Sequence, residues 1–222
     1  MSPHRLRALR EDERGFTLVE VLVTMSVALV VLFAILGAAD MFGKSVSTVS
    51  NAAGAQDSAR ATVRSMVATL RQARFAPGQT SPIPAAWTPS RSSLTIAAYV
   101  PDASGTGTQR GWVRYCAATS GTQSSLIMGV RTGDAYLAPG PCSATDTTNG
   151  WTHALVLDRT LQNPAQLFDF SASTCAANPC LPAGPDVRAV GIALAVGTSR
   201  ESTGTFSSVV RDAVSFRNRS GS

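Results

Sequence analysis

RGFTLVEVLVTMSVALVVLFAILGAAD, residues 14–40, is the stretch on which the reading of this chain turns. The 19 residues from Val21 to Ala39 carry no charge. At 1.5 Å per residue they make a helix of roughly 28 Å, the thickness of a bilayer's hydrocarbon core. A buried core helix is rarely so uniformly apolar. A cleaved secretory signal has a shorter apolar core ending in a small-x-small site, which Gly37-Ala38-Ala39 only imitates. An uncleaved signal anchor fits the length. It leaves the Arg-containing leader in the cytoplasm and everything after Asp40 outside.

A plain anchor does not account for Glu20. A carboxylate at the mouth of a membrane helix is costly and normally has a partner. Nothing basic lies within a helical turn on its C-terminal side, and Arg14 is six residues before it. Scission between Gly15 and Phe16 supplies a partner of another kind, a new α-amine with an unperturbed pKa of about 7.7–8.0. In a bundle of such helices the Phe16 amine of one copy meets the Glu20 carboxylate of the next. Gly15 suits a peptidase closing on extended backbone, because it has no Cβ to exclude.

Gly15-Phe16-Thr17-Leu18-Val19-Glu20, after a short charged leader and before a long apolar run, resembles the processing site of type IV prepilins and of the pseudopilins of type II secretion. The resemblance implies that a prepilin peptidase cuts between Gly15 and Phe16 and methylates the new Phe16 terminus. It implies that Glu20 registers the subunit during filament assembly. The implied partners are the peptidase, other pilin or pseudopilin subunits, an inner-membrane assembly platform and, before assembly, membrane lipid. Trp112-Val113-Arg114-Tyr115-Cys116, with the late strands and the ending Phe216-Arg217-Asn218-Arg219, is similar to larger minor pilins and the J-type minor pseudopilin. Many relatives carry a proline near Gly37; this chain does not, which argues against a sharp kink there.

The bulk numbers agree with a single body on an anchor. The chain has 222 residues, of which 44% are hydrophobic and only 15% charged. Its net charge is +5, and residues 1–15 hold Arg5, Arg7, Arg10 and Arg14 against Glu11, Asp12 and Glu13. The remaining positive excess is spread thinly, without the dense basic footprint of a nucleic-acid binder. Arg60, Arg64, Arg71 and Arg74 fall on one side of a helix beside its apolar stripe. Contact with phosphates of a nucleic acid is one reading; a solvated face, or contacts to acidic groups of other subunits, is the preferred one, since no aromatics interleave to stack bases.

Cys116, Cys142, Cys175 and Cys180 all follow the apolar segment. Four cysteines allow three pairings, and sequence does not choose among them. Proximity along the chain favours Cys116–Cys142 and Cys175–Cys180. Disulfides in an oxidising space fit better than zinc, whose ligands would have to come from Cys175-x4-Cys180 and His153.

Helix-compatible residues continue to about Arg74, with Ala52, Ala55, Ala59, Val63, Met66, Val67, Leu70 and Ala73 recurring at three- and four-residue spacing. Gly37, Gly43 and Gly54 weaken this helix by about 1 kcal/mol each. Residues 75–92, with prolines at 77, 82, 84 and 89, read as a connecting loop. Strand-like segments follow at 94–100, 112–117, 125–131, 154–158, 167–170, 187–196 and 205–216. In the sixth, Val190, Ile192, Leu194 and Val196 alternate with Gly191, Ala193 and Ala195, the period of a sheet with one packed face. The expected fold is α+β: a long N-terminal helix, membrane-spanning in its first half, packed on a mostly antiparallel sheet. The expected organisation is a cleaved leader at 1–15, a transmembrane and filament-core helix at 16–39, an amphipathic extension at 40–74 and a β-rich extracytoplasmic body at 75–222.

Catalytic constellations are not evident. A Ser-His-Asp arrangement would need His153 with Asp146 or Asp158, but no Gly-x-Ser-x-Gly elbow marks a nucleophile, and His153 reads as a strand-edge surface residue. Gly105-Thr106-Gly107 lacks the lysine and helix of a phosphate loop. Asp102, Asp134, Asp146 and Asp169 are too scattered for a calcium loop, and no cofactor or metal is expected. The reading is therefore a structural subunit, a minor pilin or minor pseudopilin, placed in the bacterial envelope with a cytoplasmic N-terminus. The alternative is a membrane-tethered binding or adhesion module with an uncleaved anchor.

Overall fold

The computed structural model describes residues 16–74, 81–87, 90–102, 104, 106–121, 123–157, 160–172, 187–197 and 207–216. The elements run α1 (Leu18–Arg71), β1 (Ser93–Pro101), β2 (Thr108–Ser120), β3 (Gln123–Thr132), β4 (Thr152–Leu157), β5 (Phe168–Ala172), β6 (Val187–Gly197) and β7 (Ser207–Ser215). The fold is α+β, and each expected strand segment coincides with one strand. The chain divides into two compact units, one ending at Thr48 and the other beginning at Val49.

In the first unit, the helix is apolar all round and exposed all round. Leu22, Val30, Val27, Ile35 and Leu32, which together ring the cylinder, are each more than half exposed. Lys44 and Asp40, one turn apart, form an ion pair at 2.6 Å where the uncharged run ends. Gly37 and Gly43 both lie within the bounds of α1.

In the second unit, the same helix buries a stripe. Ala55, Ala59, Thr62, Val63, Met66, Val67 and Leu70 recur every three or four residues and are all buried. Six of the eight positions expected on that stripe are buried, Ala52 and Ala73 are half-buried, and Thr62 joins the buried set. The helix was expected to reach Arg74 but ends at Arg71. Gln72 and Ala73 turn, and the Arg74 N–H donates to the Ala97 carbonyl at 3.0 Å. Arg74 therefore leaves the helical stripe to which Arg60, Arg64 and Arg71 belong.

The strands divide between two antiparallel sheets rather than one. The first has the order β1-β2-β3-β4 and the second β5-β6-β7. One hydrophobic core serves both: Met66 and Leu70 of α1, Leu94 and Ile96 of β1, Tyr115 of β2, Leu126 of β3, Phe168 and Phe170 of β5, and Val190, Ile192, Leu194 and Val196 of β6 form a continuous cluster. The alternation read in β6 is thus its core face. The sheets are joined by backbone hydrogen bonds, Leu161 N–H to Ser124 O at 2.7 Å and Phe168 N–H to Arg91 O at 2.9 Å. The Asn163 side chain adds rungs of its own, donating to Ala193 O at 2.8 Å and accepting from Ala195 N–H at 2.9 Å.

The proline-rich connection is not a solvated link. Of its described part, Ile83 is fully buried and Trp87 meets Phe170 edge to face at 5.6 Å. Pro82 O accepts from Ala97 N–H at 2.7 Å. Together with Arg74 it occupies both backbone groups of Ala97 on the outer side of β1, which closes that sheet edge.

Candidate functional site

The first turn of α1 contains Glu20, to which sequence assigns assembly, and Phe16, assigned to processing, precedes it. Thr17 precedes the helix. Its side-chain oxygen accepts from the Glu20 N–H at 3.3 Å, and its carbonyl accepts from Glu20 and Val21 at 3.0 and 3.2 Å. Thr17-Leu18-Val19-Glu20 is the T-x-x-E pattern of a capping box, with threonine satisfying one of the helix's orphan donors. That signal was available in the sequence and gives Glu20 a local role beside its intermolecular one. Its carboxylate also lies in the first turn, where the positive end of the helix dipole favours an acid. Phe16 is 78% exposed. Gly15 lies outside the described residues.

Beyond this turn, the surface is built for an apolar medium. The Thr24 and Ser26 hydroxyls, the polar side chains within the run, donate to Val21 O and Leu22 O at 2.9 and 2.8 Å. Their hydrogen bonds are spent on the helix itself, so the segment offers lipid or neighbouring helices no unpaired polar side chain. α1 is long and apolar enough to cross a membrane, and none of its most apolar window is buried. A helix hydrophobic on every face requires a solvent other than water.

The prokaryotic N-terminal methylation motif matches residues 11–36, spanning Gly15, Phe16, Glu20 and most of the apolar run. The N-terminal segment is that of a type IV pilin-like or pseudopilin-like protein. The motif supports a subunit processed at its N-terminus, anchored in the membrane of the cell envelope, and structural rather than catalytic in kind. No curated protein and no solved structure matches the chain.

The body carries the remaining sequence candidates. Cys116 and Cys142 form a disulfide with Cα atoms 6.0 Å apart, the pairing favoured from proximity along the chain. Cys175 and Cys180 lie outside the described residues. The bond ties a capping segment, residues 133–151, to the face of the β1–β4 sheet opposite α1. Trp112, Trp151 and Ala97 make a small second core there, with Tyr136 edge-on to Trp112 at 5.2 Å. Trp151 Nε1–H donates to Leu137 O at 3.0 Å, Asn149 Nδ2–H to Ala138 O at 2.8 Å, and Arg131 to the carbonyls of Asn149 and Ala135. The Arg114 guanidinium donates to Gly140 O at 2.8 Å and to Ser93 Oγ at 3.3 Å. Burial pushes its pKa down, and the nearby Tyr136 and Asp146 act against this.

His153, expected on the surface, is half-buried instead. It occupies the edge strand β4 as read, but its ring lies over Gly129, where a Cβ would be 2.6 Å from His153 Nε2. It stacks on Trp151 with centroids 6.2 Å apart. His153 and Asp146 do meet, yet not as a catalytic pair: Nδ1 lies 2.6 Å from the Asp146 backbone carbonyl. The Asp146 carboxylate accepts from Thr148 Oγ1–H at 2.6 Å and Thr148 N–H at 3.1 Å. Those bonds hold it below the usual carboxylate range, with smaller contributions from His153 and Arg114 opposing its desolvation. Asp158 lies outside the described residues. Among the described residues, no three His, Cys, Asp or Glu side chains come together as metal ligands. Arg60, Arg64 and Arg71 are exposed along α1, as is Arg74 beyond it.

Proposed function

We propose that the chain is a minor pilin or minor pseudopilin, assembled through its N-terminal helix into a type IV pilus-like filament. A prepilin peptidase removes residues 1–15 by cutting between Gly15 and Phe16, and the Phe16 amine is methylated. Residues 16–39 cross the inner membrane and then form filament core. Residues 40–74 continue as amphipathic helix, and 75–222 form the extracytoplasmic body. The partners are the peptidase, sibling subunits, an assembly platform and, before assembly, lipid.

One observation carries this reading: within the matched motif, a carboxylate stands in the first turn of a helix whose apolar surface is exposed on every side. Such a surface leaves lipid only where other helices replace it. A new amine at the same helix end is opposed by the dipole and by burial unless it meets an acid. Glu20 of an adjoining protomer supplies that acid. The size of the body favours a minor subunit over a repeating one.

The experiment replaces Glu20 and follows two fractions. Glu20→Ala should be processed normally, with its mature mass starting at Phe16, but should fall at least about tenfold in sheared filaments relative to membranes, the equivalent of one lost ion pair. Equal incorporation would remove Glu20 from the assembly role. Native protein recovered with residues 1–15 attached would favour the uncleaved adhesion-type anchor instead.

A further inference from the structure

Arg60, Arg64 and Arg71 are exposed cations that the fold leaves without a counter-ion. The ion pairs among the described residues are Lys44–Asp40, Arg91–Asp169 and Arg110–Asp134. Between Val49 and Arg71 the helix holds one acid, Asp57, and it too lies outside those pairs. Three guanidinia against one carboxylate make this a basic stretch of helix, and nothing in its own fold makes use of that charge.

The surface beside the arginines has a period of its own. Gly54, Ser58, Ala61, Ser65, Ala68 and Gln72 recur at alternating spacings of four and three, on the side of the helix away from the buried stripe. This is the seven-residue repeat by which one helix presents a seam to another. The seam is shallow: Ala61, Ser65 and Ala68 are exposed, and the Ser58 hydroxyl is spent on Gly54 O at 2.8 Å. Short side chains admit a neighbouring helix at the close end of the usual range, with axes about 8 Å apart. Arg64 and Arg71 immediately precede Ser65 and Gln72, at the flanking positions from which side chains meet charges of a facing helix. They stand about 10.5 Å apart along the axis.

We propose that this face docks an acidic helix of a different envelope protein, whose carboxylates, two turns apart, pair with Arg64 and Arg71. Charge decides the class of partner. A second copy brings the same three arginines and only Asp57 to answer them, so like charges meet across the contact. A nucleic acid is the other polyanion, but three cations over about 16 Å are sparse against a duplex with one charge per about 1.7 Å. Between Val49 and Arg71 there is also no aromatic side chain on which a base could stack. The repeat of the seam matches a helix and not an extended strand. Each guanidinium can grip a carboxylate through two parallel hydrogen bonds, which fixes the register of the docked helix as well as holding it.

Photocrosslinking of the full-length protein in intact cells tests this. The photoreactive residue p-benzoylphenylalanine replaces Gln72 in one variant and Ala53 in another, at the two ends of the contact, and the adducts are sequenced by mass spectrometry. Both probes should join one partner, at a helical peptide carrying two acids spaced to face Arg64 and Arg71. Arg64→Glu with Arg71→Glu should lower the adduct yield about tenfold, and exchanging the partner's two acids for arginine should restore it. Arg64→Gln with Arg71→Gln carries the test if the charge reversal alters unfolding of the body. An adduct only to a second copy, nucleic acid or lipid, or none from either probe, overturns the docking face. So does a yield unchanged in the charge variants, or one that the exchanged acids fail to restore.

Discussion

Leu18–Thr48 and Val49–Arg71 belong to the same helix yet obey different rules. In the first, every residue is exposed and nearly every side chain up to Ala39 is apolar. In the second, apolar side chains are confined to a stripe, Arg60, Arg64 and Arg71 lie off it, and the stripe is buried in a core shared by two sheets. Burial in water-soluble packing demands selectivity around the cylinder, whereas a helix solvated by lipid or by its siblings needs none. The uncharged run ends at Asp40 and the periodicity begins near Ala52, so sequence pattern alone separates the two stretches. Propensity alone would not reveal it, since both stretches favour helix.

Three perturbations sharpen or break that contrast. The largest effect is expected from removing the covalent tie of the body. Replacing Cys116 and Cys142 together by serine opens a loop with a sequence separation of 26. Chain entropy alone assigns this a loss of roughly 3–4 kcal/mol. Denaturant unfolding of the body, followed by tryptophan fluorescence, measures it, while insertion of the N-terminal helix into bilayers should be unaffected.

Next comes a matched pair of deletions on α1. Leu70→Ala, at a position 1% exposed, should cost the body about 3 kcal/mol in the same unfolding experiment. Leu29→Ala, at 54% exposure, should change body stability by less than about 0.5 kcal/mol. Equal costs would erase the distinction between the two stretches.

The smallest effect is at the seam between helix and sheet. Tyr115 OH donates to Thr69 Oγ1 at 3.1 Å. Tyr115→Phe should lose about 1 kcal/mol at neutral pH. Burial pushes the Tyr115 pKa up, and the bond to Thr69 only partly offsets it. A folded pKa above the unfolded one means this phenol's contribution is complete below about pH 10 and declines as pH rises beyond it. The alkaline decline of the wild-type melting temperature should be shallower in Tyr115→Phe.

What the sequence disclosed follows from how local each feature is. Phe16, Glu20 and the uncharged run are contiguous, and the alternation from Val190 to Val196 is a property of one strand; both are legible without knowing any neighbour. The division of strands between two sheets is not, because it depends on which distant edges pair: Leu161 bridges to Val196, and Phe168 bonds to Arg91. The end of α1 was placed late because nothing before Arg74 breaks a helix; the competing bond to Ala97 lies across the fold. His153 was assigned to the surface because its burial depends on Gly129 and on a capping segment whose own sequence has no periodicity. The capping box at Thr17 is legible too, because the T-x-x-E pattern lies within four consecutive residues.

The Cys116–Cys142 bond also gives maturation an order in time and place. Thiols stay reduced in the cytosol and oxidise in extracytoplasmic space. Trp112, Trp151 and Tyr136 therefore come under covalent restraint only after the chain has reached such a space. A subunit retained inside would have its main core available but its second one unsecured, and proteases could sort the two populations by that difference alone.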